Sequence, residues 1–357
     1  MTTRIAFLAV SQAHQFLHWL PAALRLAREP GVEVTVLCST RAGLEFIRRY
    51  DPERLLRLKR IWAPSFGRQG LFTPPKRRLA LLLNAWRIAR FPTIVTTEAT
   101  SSLLCGTPGF HSRLIYLMHG AGDREGGYNP KLARFDLVLV NGPKDKRRLI
   151  ARGIVSEENC LVVGYAKFEL VRPPQSPLFA NGHPVALYNS HFDERLGSWF
   201  RHGAEVVRAM ETIPGWNFVA APHVKLQGGP DVRSSAPNVL IDRGSTRSID
   251  MTYTDAADVY IGDISSQVYE FLRRPRPCIF LNLDRIDWRD DENYTNWHLG
   301  QVIEDVRELG PALDRAQRLQ PQFEEAQREL TAKSLDIGKE PASERQARAI
   351  LDFARRP

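Results

Sequence analysis

Long hydrophobic runs are missing from this 357-residue chain, and so are closely spaced cysteines. No apolar run approaches the ~20 residues of a membrane-crossing helix. The apolar start Ile5–Val10 is too short, and too soon followed by polar residues, for a secretory leader. Cys38, Cys105, Cys160 and Cys278 are scattered, with no CxxC pair and no metal-ligand spacing. They read as thiols of a reducing compartment, so a cytoplasmic location is expected. GxGxxG is absent, which argues against a dinucleotide cofactor. A DxD-type carboxylate cluster is absent too, so neither metal nor cofactor is expected. Finally, runs of five or more basic residues are lacking, as is an aromatic RNA-binding signature. The net charge of +9 and pI near 9.6 therefore point away from specific nucleic acid. They point toward a phosphate-bearing substrate or an anionic membrane face.

What the chain does have is a regular alternation. Short apolar runs, buried on both faces if they are parallel strands, alternate with helical patterns. In the first half the runs are Ile5–Val10, Val32–Cys38, Thr93–Thr97, Leu114–Met118, Leu137–Val140 and Leu161–Val163, and the helices are Leu17–Arg28, Arg77–Arg90 and Lys144–Arg152. Proline and glycine then crowd Arg172–Pro184, a linker signal. The alternation restarts with Val185–Tyr188, Trp216–Ala220, Val239–Ile241, Val259–Ile261 and Cys278–Leu281. This pattern predicts an α/β protein of two doubly wound, Rossmann-like domains, residues 1–172 and 185–357, the second ending in a helical tail. Ligands of such folds sit at the carboxyl ends of the strands, here expected in a cleft between the domains.

Polar residues just after predicted strands are therefore the candidates. His119 and Gly120 follow one strand, with Asp123 further along the loop. Histidine can accept a proton near neutral pH, and glycine lets backbone approach a ligand. Pro222-His223-Val224-Lys225 follows another, a pair suited to a pyrophosphate. Asp263-Ile264-Ser265-Ser266 leads from a strand into a helix whose start presents amides, with Ser265 a possible cap. Glu270, one turn on, is placed to reach a ribose hydroxyl. His14 and Gln15 follow the first strand as acceptor-side candidates, although His14 is equally suited to packing on Trp19. Last, Leu79, Leu82, Leu83 and Trp86 form an apolar stripe flanked by Arg77, Arg78, Arg87 and Arg90. Such a helix either lies on an anionic membrane or, as the plainer expectation, buries the stripe in its own domain.

Taken together and in order, His119-Gly120, Val163-Gly164-Tyr165, Pro222-His223 and Asp258…Gly262-Asp263-Ile264-Ser265-Ser266 resemble the CDP-glycerol glycerophosphotransferase family of GT-B transferases, the teichoic-acid polymerase type. The resemblance runs from about His119 to Leu281. It departs at Ala121-Gly122-Asp123 and Ala166-Lys167, and the long extra regions of the polymerases are missing, which favours a single addition over polymerisation. What the resemblance implies is an acceptor hydroxyl, on a cell-envelope lipid or glycan, attacking the β-phosphate of CDP-glycerol and releasing CMP. His119 would be the general base. His223, Lys225, Ser265, Ser266 and helix amides would hold the diphosphate, with Asp263 and Glu270 orienting the ribose or the phosphate-binding side chains. Location would be cytoplasmic, peripheral on the inner membrane face. The rivals are a nucleotide-sugar glycosyltransferase on the same fold, a UDP-sugar 2-epimerase, and a non-catalytic nucleic-acid binder.

Overall fold

The computed structural model describes residues 2–64, 70–122, 128–171, 176–226 and 228–356. Candidate Asp123 lies outside them. The chain divides into two compact units. The first comprises Met1–His119, Tyr128–Leu170 and Lys333–Pro357; the second comprises Gly120–Gly127 and Val171–Ala332. The units thus exchange segments instead of dividing only at the proline-rich stretch.

In the first unit the strands are β1 (Thr3–Ala9), β2 (Val32–Cys38), β3 (Arg57–Arg60), β4 (Thr93–Thr96), β5 (Arg113–Leu117), β6 (Leu137–Val140) and β7 (Cys160–Val162). They form one seven-stranded sheet in the order β3-β2-β1-β4-β5-β6-β7, parallel throughout. The central strands are buried and continuously apolar, as covered faces require. β3, with the sequence RLKR, is mostly exposed at an edge, where charge blunts unwanted pairing. With Leu58 as its single apolar residue, it was hidden from the sequence.

Helices α1 (Phe16–Leu26), α2 (Arg41–Arg48), α3 (Arg77–Leu83), α4 (Ala85–Ile88) and α5 (Pro143–Ala151) connect these strands. The expected single helix 77–90 is broken at Asn84, whose backbone leaves the helical region while its amide donates to the carbonyls of Trp62 and Ala80. Its burial also differs from the plainer expectation. Ala80, Leu81, Ala85 and Ile88 face inward, while Leu79, Leu82, Leu83 and Trp86 are exposed.

The second unit holds β8 (Val185–Asn189), β9 (Asn217–Ala220), β10 (Val239–Ile241), β11 (Val259–Gly262), β12 (Cys278–Leu281) and β13 (Gln301–Ile303). Their order is β10-β9-β8-β11-β12-β13, again parallel. Its helices are α6 (Ser198–Thr212), α7 (Thr252–Ala256), α8 (Gln267–Phe271) and most of α9 (Leu309–Leu335). Trp199, Met210, Phe218, Val259 and Ile279 share its core.

The last helix, α10 (Ala342–Arg355), belongs to the first unit. Ser343 N donates to Glu169 at 2.8 Å and Gln346 Nε2 to the Gly164 carbonyl at 3.0 Å. Gly164 has φ +75, and a Cβ there would sit 2.2 Å from the Arg345 guanidinium. Only glycine suits that turn on both counts.

Candidate active site

Both strand orders reverse direction beside a central strand, between β1 and β4 and between β8 and β11. Loops at the carboxyl ends of such strands form the ligand crevice of doubly wound sheets. The sequence candidates fall on these loops, and each unit builds its set differently.

In the first unit, a short 3₁₀ turn, Ala13–Gln15, follows β1 and leads into α1. It carries His14, and α1 carries His18 on its first turn. The rings of both approach His119, with centroids 6.3 and 6.1 Å away. Tyr165 lies edge-on to His18 at 5.1 Å. His14 thus packs toward His119 and not on Trp19, whose ring neighbours are Phe7 and Phe16. Burial pushes the His18 imidazole well below its ordinary pKa, and Lys167 and His119 push the same way. A neutral ring beside two potential cations is what this environment selects. His18 escaped the sequence reading because it sits inside a helical segment, and Tyr165 and Lys167 were read only as part of a family-like turn and its departure, without a place beside His119.

Gln15, by contrast, is turned inward. Its Nε2 donates to Glu98 Oε1 at 2.7 Å and its Oε1 accepts from Thr97 Oγ1 at 2.8 Å. Glu98 also pairs with Arg77. Both ends of the Gln15 amide therefore tie the loop after β1 to the loop after β4. That gives Gln15 a scaffold role between the two loops.

In the second unit, the hub is Asp263 at the end of β11. Its carboxylate accepts from Ser190 Oγ (3.0 Å), His191 N (2.9 Å), Ser198 N (2.8 Å) and Ser198 Oγ (2.9 Å). Its main-chain carbonyl accepts from Asn296 Nδ2 and the Trp297 indole. Burial raises the carboxyl pKa against these four donors, which favour the ionised form. A carboxylate held by four protein donors organises loops. The first two amides of α6 are likewise satisfied, by Asp263 and by Ser190 Oγ.

His223 joins the same edge through one residue, since its N–H donates to the Ser190 carbonyl at 2.9 Å. The loops after β8, β9 and β11 are thereby stitched together. His223 Nδ1 accepts from Lys225 N at 3.1 Å, and His191 Nδ1 accepts from Asp193 N at 3.0 Å. A ring nitrogen that accepts is unprotonated, so in each neutral ring the proton resides on Nε2. The two rings are 6.2 Å apart, with Phe192 beside both and Lys225 Nζ 5.3 Å from the Phe192 ring centroid. This is a set of hydrogen-bond donors suited to phosphate oxygens. His191 follows β8 as His223 follows β9, so the rule that found one applied to the other.

Ser265 is fully buried, Ser266 half-buried and Glu270 buried. Helix α8 has only five residues, and Ser266, at its N-cap, makes no side-chain capping bond. The helix start is thus much shorter than the sequence suggested. Residues 120–122, in the same unit, lie against Ser266. A Cβ on Gly120 would be 3.6 Å from Ser266 Oγ, and one on Gly122 would be 3.2 Å from Ser266 Cβ. Gly120 also holds φ +74, which a side chain resists. The glycines after His119 therefore bring backbone onto the Asp-Ser-Ser run.

A cavity of about 220 Å³ opens beside Asp263, lined among others by Arg195, Ser198, Arg201, Asn282, Tyr294 and Trp297. His223, Ser265 and Ser266 are not among the residues that line it. The Asp263 carboxylate is taken up by Ser190, His191 and Ser198, on the loop after β8 and the start of α6. Among the described residues, no three His, Cys, Asp or Glu are grouped to hold a metal ion, and no helix is long and apolar enough to cross a membrane.

The family model for CDP-Glycerol:Poly(glycerophosphate) glycerophosphotransferase matches residues 209–352. The match contains His223, Lys225, Asp263, Ser265, Ser266 and Glu270, while His119 and Val163-Gly164-Tyr165 precede it. Over that stretch the resemblance read from the sequence is borne out. No curated protein matches the chain in sequence. Among solved structures, the wall teichoic acid polymerase TagF is similar at TM-score 0.66 and 12% identity, over 99% of this chain and 88% of that one. A TagF variant soaked with CDPG gives 0.63 and 12%, over 99% and 88%. UDP-GlcNAc 2-epimerase from Neisseria meningitidis, bound to UDP-GlcNAc, gives 0.65 and 12%, over 99% and 100%. These likenesses establish the two-domain Rossmann-like fold of GT-B type.

Proposed function

From a glycerophosphotransferase-like match over residues 209–352, we propose that the chain transfers glycerol phosphate from CDP-glycerol to a hydroxyl of a cell-envelope lipid or glycan. The acceptor oxygen attacks the β-phosphorus, the bond from that phosphorus to the bridging oxygen breaks, and CMP leaves. His119 takes the hydroxyl proton as general base. His223 Nε2–H, Lys225, Ser265 and Ser266 hold the diphosphate as charge gathers on the leaving CMP. Asp263 acts by fixing the loops that carry His191 and Ser190, and Glu270 orients the ribose. The observation that carries this reading is that the match spans the whole second-unit set of candidates. The stitching of His223 to the Asp263 hub through Ser190 supports it. A peripheral position on the inner membrane face goes with a lipid-linked acceptor.

A UDP-sugar 2-epimerase is the second reading, because a structure of that kind is as similar in fold as TagF. A panel of CDP-glycerol, UDP-N-acetylglucosamine and GDP-sugars, incubated with membrane extract as acceptor source, separates them. Free CMP is expected. UDP or GDP release, or a UDP-sugar converted without nucleotide release, would overturn the proposal.

A further inference from the structure

The net charge of the chain is confined to one stretch. Between Glu53 and Glu98 there is no acidic residue, and the 44 positions carry ten Lys or Arg. The other 313 residues hold 39 basic and 40 acidic side chains, so they are nearly neutral. The exposed apolar residues concentrate there as well. Among the described residues, the large exposed hydrophobics are Trp62 (61%), Trp86 (56%), Leu82 (51%), Leu83 (47%), Leu79 (36%), Leu196 and Ile337. Five of these seven belong to the acid-free stretch. Asn84 ties the Trp62 backbone to the break between α3 and α4, so Trp62 joins the helical stripe. The guanidinium carbons of Arg87 and Arg90 lie 5.0 and 4.9 Å from the Trp86 ring centroid. Lys76 and Arg78 are exposed at the other end of the stripe.

We propose that this face docks on an anionic lipid bilayer, Leu79, Leu82, Leu83, Trp62 and Trp86 entering the interface and Lys76, Arg78, Arg87 and Arg90 meeting the headgroups. A bilayer surface offers both an apolar layer and negative charge at one depth, which an amphipathic basic face needs. Nucleic acid matches the charge but has no use for three exposed leucines. A second copy matches the leucines but sets one acid-free face against another. The proposal gives a surface to the peripheral membrane position of the proposed function and rests on that reading only there; because vesicle binding needs neither donor nor turnover, its failure is distinguishable from failure of the transferase reading.

The test is vesicle co-sedimentation of the full chain, with phosphatidylglycerol–phosphatidylcholine vesicles against pure phosphatidylcholine. Binding to the anionic vesicles at low salt is expected, weakening as the Debye length shrinks from about 30 Å at 0.01 M to about 10 Å at 0.1 M. Leu82→Ser/Leu83→Ser/Trp86→Ser should lower the affinity at least tenfold, with an unchanged melting temperature because these side chains are exposed. Arg78→Gln/Arg87→Gln/Arg90→Gln should lose roughly fivefold per charge. Absence of wild-type binding at low salt overturns the proposal, as does wild-type affinity in both variants. Two further results also overturn it: duplex DNA bound in place of vesicles, or a concentration-dependent dimer broken by the apolar variant without any vesicle binding.

Discussion

At the carboxyl edge of the first sheet, polar side chains meet as rings: His14 and His18 about His119, with Tyr165 against His18. At the same edge of the second, they meet around a carboxylate, Asp263, whose bonds fix the loops after β8 and β11 and the start of α6. Apart from the extra edge strand β7, the two sheets share one strand order. The first set is a ring cluster in which burial favours the neutral form of His18. The second set is fixed by backbone, down to the tautomer of His191 and His223. On one scaffold, then, the proposed proton transfer and the proposed anion binding would rest on different supports: a ring cluster for the one, and dipoles locked in advance for the other. That difference predicts different failures when each set is damaged.

The largest effect is expected at His119. In His119→Ala the rate of CMP release should fall by about 10²–10⁴ while calorimetric donor affinity stays near wild type, since a base acts on the transition state. An equal loss of affinity would move His119 to the anion-binding set and erase the contrast. Next comes Asp263→Ala, which leaves the Ser190, Ser198 and His191 donors buried without their acceptor. The expected cost is roughly 3 kcal/mol, read as a lowered denaturation midpoint, with donor affinity falling in parallel. A stable variant would show that the hub is dispensable.

His223→Ala is expected to weaken donor binding by about tenfold to a hundredfold, the worth of a hydrogen bond to a charged group. His223→Asn, which keeps a donor, should recover part of it. The smallest effect is a pH slope. Above pH 6.5, His18 is neutral folded and unfolded. Below that ordinary value the unfolded chain binds the proton first, so stability falls as the pH falls, by up to about 1.4 kcal/mol per unit. It continues until the native ring protonates. His18→Gln should flatten this part of the stability–pH curve, and an unchanged slope would place the titration elsewhere.

Much of this was legible in the sequence, for a physical reason. Buried parallel strands must be apolar on both faces, so the central strands announce themselves. Edge strands need not be, and both β3, with its Arg57, Lys59 and Arg60, and the three-residue β13 were missed. The rule that ligands gather after strands found His14, His119, His223 and Asp263. It could not tell Asp263 as organiser from Asp263 as ligand, because that depends on four donors from distant segments. The partners of Gln15, Thr97 and Glu98, were hidden for the same reason. Periodicity located the stripe Leu79–Trp86 but not its direction, since a helical repeat says which residues share a face and not what covers it.

The account's central claim, phosphorus–oxygen cleavage in a CDP-activated donor, is tested most directly by phosphorus NMR of wild-type protein with CDP-glycerol and a membrane-extract acceptor. The two diphosphate resonances should decline together, with a CMP monophosphate signal and a new phosphodiester signal rising in equal amounts. Release of intact CDP, which requires carbon–oxygen cleavage, would contradict it. So would an unchanged CDP-glycerol spectrum alongside conversion of UDP-N-acetylglucosamine to its 2-epimer.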